Sequence, residues 1–239
     1  TEDALRFTHR YYRPENVIFF VLGNVDFKRV VRLVEKATAD LNSSASTFER
    51  KRPDIYVPKT LTLHRDTHQA HVMIGSRGYD AHNEKRTALY LLNNILGGPG
   101  MNSRLNVALR ERSGLVYNVE ANLTSYTDTG VFCIYFGTEH DHVERCIRFV
   151  KKELKRLCDK PLTSTQLNAA KKQIIGQIGV ARDNAENTAL GMAKTFLHYG
   201  EMDDPKKLFQ RIEALTAKEL WEVSNEMFAE DYLSTLIYI

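Results

Sequence analysis

Leu96-Gly-Gly-Pro-Gly-Met-Asn-Ser-Arg-Leu-Asn-Val-Ala-Leu-Arg-Glu-Arg-Ser-Gly-Leu-Val-Tyr-Asn-Val119 is the most informative stretch of the 239-residue chain. It begins where a helix has to end. Ala88, Leu91, Leu92 and Ile95 recur at helical spacing, and Gly97-Gly98-Pro99-Gly100 then halts the helix, because proline lacks an amide proton and glycine loses the most backbone freedom in a helix. A second helix is expected from about Ser103 to Ser113-Gly114. Beyond that break, residues 117–125 and 130–137 read as two strands of a hairpin around Tyr126-Thr127-Asp128-Thr129.

On its N-terminal side, residues 60–64 and 70–75 alternate apolar and polar side chains, as paired half-buried strands do. Upstream, the apolar run 16–22 lies between Pro14 and Gly23 and predicts a buried strand. Asp26 then caps a helix whose apolar face carries Val30, Val34, Ala37 and Leu41. Residues 42–58 combine small polar residues, charges and two prolines, which is linker chemistry. The expected organisation is therefore a strand and helix over 1–41 that close a preceding unit, a linker over 42–58, and a complete domain over 59–239.

Downstream the chain is mostly helical. Val143, Ile147, Val150, Leu154 and Leu157 mark one helix; Leu167, Ala170, Ile174, Ile178 and Ala181 mark another, opened by the capping box Thr163-x-x-Gln166. Helices over about 188–199, 206–214 and 217–227 precede a last strand, 234–238. The sum is an α+β fold, an antiparallel-rich mixed sheet covered by helices.

Composition narrows the function. Hydrophobic residues are 43% and charged residues 26% of the chain, so a packed core is expected and wholesale disorder is not. Lys and Arg number 33 against 30 Asp and Glu, a net charge of +3 with no long block of one sign, which makes nucleic acid a poor partner. No apolar run approaches the roughly 18 residues of a membrane span. Cys133, Cys146 and Cys158 form no Cys-x-x-Cys pair and read as small buried apolar residues; their odd number favours a reducing, cytoplasmic compartment. The chain opens at Thr1 rather than Met, in an amphipathic pattern, as expected where an upstream portion has been lost.

Metal and phosphate chemistry find little support. His64, His68 and His71 fall on a strand, turn, strand pattern, so they read as surface or sheet histidines and not as helical i,i+4 ligands. His142 and Cys146 are four apart on a helix, without an acidic partner of matching geometry. The glycine turn lacks the Gly-Lys-Ser/Thr ending of a nucleotide loop and follows a helix, which makes it a helix stop. On their own, Arg110 reads as a cation at a helix end and Tyr117 as an amphipathic strand residue.

The order of these elements changes that reading. A Gly-rich turn, Ser103-Arg104-Leu105, Leu109-Arg110 and then Gly114-Leu115-Val116-Tyr117 resembles the second half of pitrilysin/insulinase and mitochondrial-processing-type zinc peptidases. Gln69-Ala70-His71-Val72 with Gly75 is similar to that family's strand before the helix, and residues 7–41 to the close of the preceding half, so the resemblance covers nearly the whole chain. It implies a processing-peptidase-like fold. It also implies zinc in the full enzyme, held on His-x-x-Glu-His with a downstream acidic ligand. That motif is absent here: the nearest string, Phe136-Gly137-Thr138-Glu139-His140, has phenylalanine where a histidine ligand is required. The implied role is the C-terminal half of a zinc endopeptidase, inactive alone, whose partner is a zinc-bearing homologous half on the same longer chain or a separate subunit. Arg110 and Tyr117 are implied to reach peptide substrate as catalytic residues, and Gly97, Gly98 and Gly100 to touch it. The alternative is a non-catalytic member of the same fold, acting as a scaffold or peptide-binding subunit.

Overall fold

In the computed structural model, which describes residues 1–41, 51, 53–65, 67–202 and 204–239, α1 (Glu2–Tyr11) and α2 (Phe27–Ala37) are followed by β1 (Thr60–Leu63), β2 (Ala70–Gly78) and α3 (Arg86–Gly97). A π-helical segment (Asn106–Glu111) leads into the hairpin β3 (Val116–Ser125) and β4 (Gly130–Thr138). Then come α4 (Val143–Asp159), α5 (Ser164–Arg182), α6 (Ala185–Tyr199), α7 (Pro205–Ala214), α8 (Ala217–Met227) and β5 (Ser234–Tyr238). The chain divides into two compact units, Thr1–Lys51 with Gln177–Pro205, and Arg52–Gly176 with Lys206–Ile239.

The second unit holds the sheet, in the order β1-β5-β2-β4-β3. Only β1 and β5 pair in parallel; β5–β2, β2–β4 and β4–β3 are antiparallel, so the sheet is mixed and antiparallel-rich, as the sequence predicts. Period two sorts its faces. Val72, Ile74, Phe132, Ile134, Phe136 and Ile237 are buried, whereas Met73 and Val131, one residue along, are exposed. Register keeps the buried set together, with Ile74 opposite Ile134 and Val72 opposite Ile237. α3 and α8 pack on the buried face: Phe132 meets Phe228 at 5.0 Å between ring centroids, and Ser76 Oγ donates to the Met227 carbonyl at 3.3 Å. Every buried apolar residue among those described lies in this unit.

Local signals place the helices as expected. Asp26 accepts from the Arg29 amide at 2.7 Å, and Thr163 and Gln166 satisfy each other's amides at 3.3 and 3.0 Å. The expected strand over 16–22 is not formed. Among the described residues it has no ladder partner, and Val17, Phe19, Val21 and Leu22 are 44–66% exposed. A strand needs a neighbour to take up its amides and carbonyls, so an apolar run alone does not make one. In the same unit, α1, α2 and α6 bury no residue. Most of the expected linker, 42–50 and 52, lies outside the described residues.

Candidate functional site

The glycine turn, the π-helical segment and β3 together enclose a pocket of about 370 Å³. Its position follows from how closely α3 meets β3. A Cβ on Gly97 would stand 2.5 Å from the Ala121 amide nitrogen and 2.8 Å from the Ala121 Cβ, so only glycine lets the helix end settle on the strand. Asn93, one turn earlier, donates from Nδ2 to the Ala121 carbonyl at 3.0 Å and fixes that approach. Gly98 then ends the helix with its amide on the Asn94 carbonyl at 3.0 Å, and the Ser103 amide returns to the Gly100 carbonyl at 3.0 Å, turning the chain into the next helical segment.

That segment is expected from sequence as an ordinary helix and is instead π-helical over Asn106–Glu111, with the Arg112 amide on the Val107 carbonyl at 3.0 Å. The wider turn is a frequent mark of functional sites. Gly114, at φ +59°, supplies the left-handed residue that releases the chain into β3. The pairing of β3 with β4 shifts register between Val116 and Val119, a bulge that leaves Tyr117 and Asn118 exposed in succession.

Of the residues singled out from sequence, Arg110, Gly97, Gly98 and Gly100 line this one pocket; Tyr117 does not, although Asn118 and Val119 beside it do. Arg110 is exposed and, among the described residues, pairs with Glu111, Nε to Oε1 at 3.6 Å with both side chains 44% exposed, a surface pair that leaves the guanidinium available. Tyr117 is 88% exposed. Other polar lining residues, among them Asn93, Asn106, Asn118 and Glu120, are not singled out from sequence, and Ser103 is read there only as a helix start and part of the motif. Asn93 and Asn94 carry the missed signal: two amide side chains stand on the buried, otherwise apolar face of α3. Asn106 donates to the Met101 carbonyl at 2.7 Å. Asn93 Oδ1 and Ser103 Oγ are buried and have no hydrogen-bond partner among the described residues.

The described residues do not fit a zinc site, which needs three or four converging nitrogen, sulfur or oxygen ligands. Among the described residues no group of three His, Cys, Asp or Glu could hold a metal ion. His71 bonds through Nδ1 to the Tyr135 hydroxyl at 2.8 Å, within the sheet. Cys146 is fully buried against Thr138, and burial raises the thiol pKa of all three cysteines. Among the described residues no helix is long and apolar enough to cross a membrane.

Comparison with known proteins agrees with this architecture. The chain is 29% identical over 236 residues to YmxG of Bacillus subtilis, named an uncharacterized zinc protease, covering 98% of this chain and 57% of that protein. It is 28% identical over 237 residues to an uncharacterized zinc protease of Rickettsia bellii, covering 99% of this chain and 57% of the relative. The chain thus spans little more than half the length of these relatives. Among solved structures, the peptidase M16 inactive domain from Pseudomonas fluorescens superposes with a TM-score of 0.87 at 19% identity, over 100% of this chain and 57% of that one. A protease from Helicobacter pylori superposes at 0.85 with 22% identity, over 100% and 59%. The family model described as the peptidase M16 inactive domain matches residues 1–174, and the chain belongs to that family.

Proposed function

We propose that this chain is the C-terminal, substrate-holding half of a zinc-dependent endopeptidase, that the zinc is bound by a homologous half which this chain does not contain, and that this half alone does not hydrolyse peptides. The observation that carries the reading is the pocket beside the glycine turn, which Arg110 lines together with the amides of Asn118 and Asn122 and the Glu120 carboxylate. A peptide backbone alternates donors and acceptors, and the exposed side-chain amides of Asn118 and Asn122 in the lining can meet both.

Arg110 and Tyr117 act on what the peptide becomes. As water attacks the scissile carbonyl, its oxygen gains negative charge, and an exposed guanidinium and phenol can each donate to it. One such donor contributes about 3 kcal/mol when it is aimed at the developing charge. Support for a missing half comes from the first unit, where Phe27 on α2 is 77% exposed and Leu33 58%. Apolar side chains left this exposed are what a packed partner covers.

Gly100 offers a direct test of peptide binding. A Cβ there would meet Asn102 Oδ1 at 2.5 Å and Gln173 Nε2 at 3.1 Å, both ends of flexible side chains, so a larger residue fits the fold while filling the pocket mouth. Gly100→Val is expected to weaken binding of a fluorescent peptide to the full protein about tenfold, as a few lost contacts do, with the thermal midpoint nearly unchanged. Unaltered affinity in a folded variant would detach the pocket from substrate and favour a scaffold role.

A further inference from the structure

A second pocket, of about 440 Å³, lies on the other side of the 103–111 segment. Arg104, Arg112, Arg156 and Lys160 line it together with Asn102 and Gln166, and among the described residues its one carboxylate is Glu153. That carboxylate is already spoken for: Glu153 is 6% exposed and bonds directly to Arg156. No ion pair of Arg104, Arg112 or Lys160 occurs among the described residues.

Arg104 is the telling member. It is half-buried, and burial pulls its guanidinium below the ordinary arginine range while the Arg156 charge adds to the fall and Glu153 opposes it. A guanidinium stays charged at any physiological pH, and a half-buried charge sharing one carboxylate with a second arginine is under-compensated. The pocket also takes in the start of α5, whose first turn contains no acidic residue, so the positive end of that helix dipole adds to the field. Arginine forks match phosphate oxygens in pairs, and a lysine supplies a point charge beside them.

We propose that this pocket is a binding site for a small, multiply charged phosphate anion, held by Arg104, Arg112, Arg156 and Lys160 and separate from the peptide pocket. Its volume leaves room for a diphosphate-sized group.

The test is a calorimetric titration of the full protein with inorganic pyrophosphate at constant ionic strength. Saturable one-to-one binding is expected. The double variant Arg112→Gln/Lys160→Gln, both positions exposed, should bind at least about tenfold more weakly, since two charge-assisted contacts are lost, with its anion-free thermal midpoint unchanged. The double variant Arg148→Gln/Lys152→Gln on the outer face of α4 should bind as the parent does. Absence of saturable binding, parental affinity in Arg112→Gln/Lys160→Gln, or an equal loss in Arg148→Gln/Lys152→Gln would each overturn the assignment, the last by showing only diffuse attraction to a basic surface. Peptide hydrolysis plays no part in this readout, so it stands or falls apart from the proposed peptidase role.

Discussion

Tyr117→Phe in the complete two-half protein is expected to lower kcat about a hundredfold while KM stays near the parental value, the size of effect that removing one oxyanion donor has. The expectation rests on exposure and position. Tyr117 is 88% exposed and sits at a register shift of β3, with no packing role that the loss of one hydroxyl would disturb. An interaction made only with the developing oxyanion depresses kcat and kcat/KM together and leaves ground-state affinity nearly alone. Arg110→Ala should act in the same direction. Arg110→Lys separates charge from shape: lysine keeps the cation and loses the planar fork, so a partial rescue is expected, and full rescue would mean that only charge matters there. Steady-state kinetics on a peptide substrate reads all three. If Tyr117→Phe turns over like the parent, Tyr117 has no catalytic part.

Gly97→Val is expected to destabilise the second unit by about 3 kcal/mol, the combined size of an overpacked core position and a broken buried hydrogen bond. The first added carbon already meets the Ala121 backbone at 2.5 Å, and backbone cannot swing aside as a side-chain end does. To make room, α3 must lift off β3, which takes Asn93 Nδ2 from the Ala121 carbonyl, now 3.0 Å away. Gly114→Ala is the comparison: nothing lies within 4 Å of its Cβ, so only the left-handed backbone at φ +59° resists, for a cost of about 1–2 kcal/mol. Urea unfolding with an unchanged m-value and a lower midpoint would show both losses. Equal midpoints for the two variants would mean that the close approach of α3 to β3 is not tight in solution.

Much of this fold is legible in the chain because burial writes a period. The alternation through Val72, Ile74, Phe132, Ile134 and Phe136 identifies β2 and β4 and their inner face, and Ala88, Leu91 and Leu92 identify α3. What is not legible depends on partners or on one-residue shifts. The apolar run 16–22 states that these side chains need cover, not that a strand is present to supply it. The π-helical geometry at 106–111 differs from an α-helix by a single residue per hydrogen bond and leaves no composition mark. The candidate pocket is legible only in part. Motif order points to Arg110 and the glycines, which do share a pocket, whereas the asparagine lining comes from three separate elements that only the folded chain brings together.

The most direct test of the two-half account is to mix the purified chain with a zinc-bearing homologous half that carries His-x-x-Glu-His and to follow cleavage of a fluorogenic peptide. The account predicts that neither half alone cleaves and that the mixture does, with a rate that saturates as this chain is added to a fixed amount of the other. Cleavage by the zinc-bearing half alone at the rate of the mixture, or by this chain alone, would contradict it.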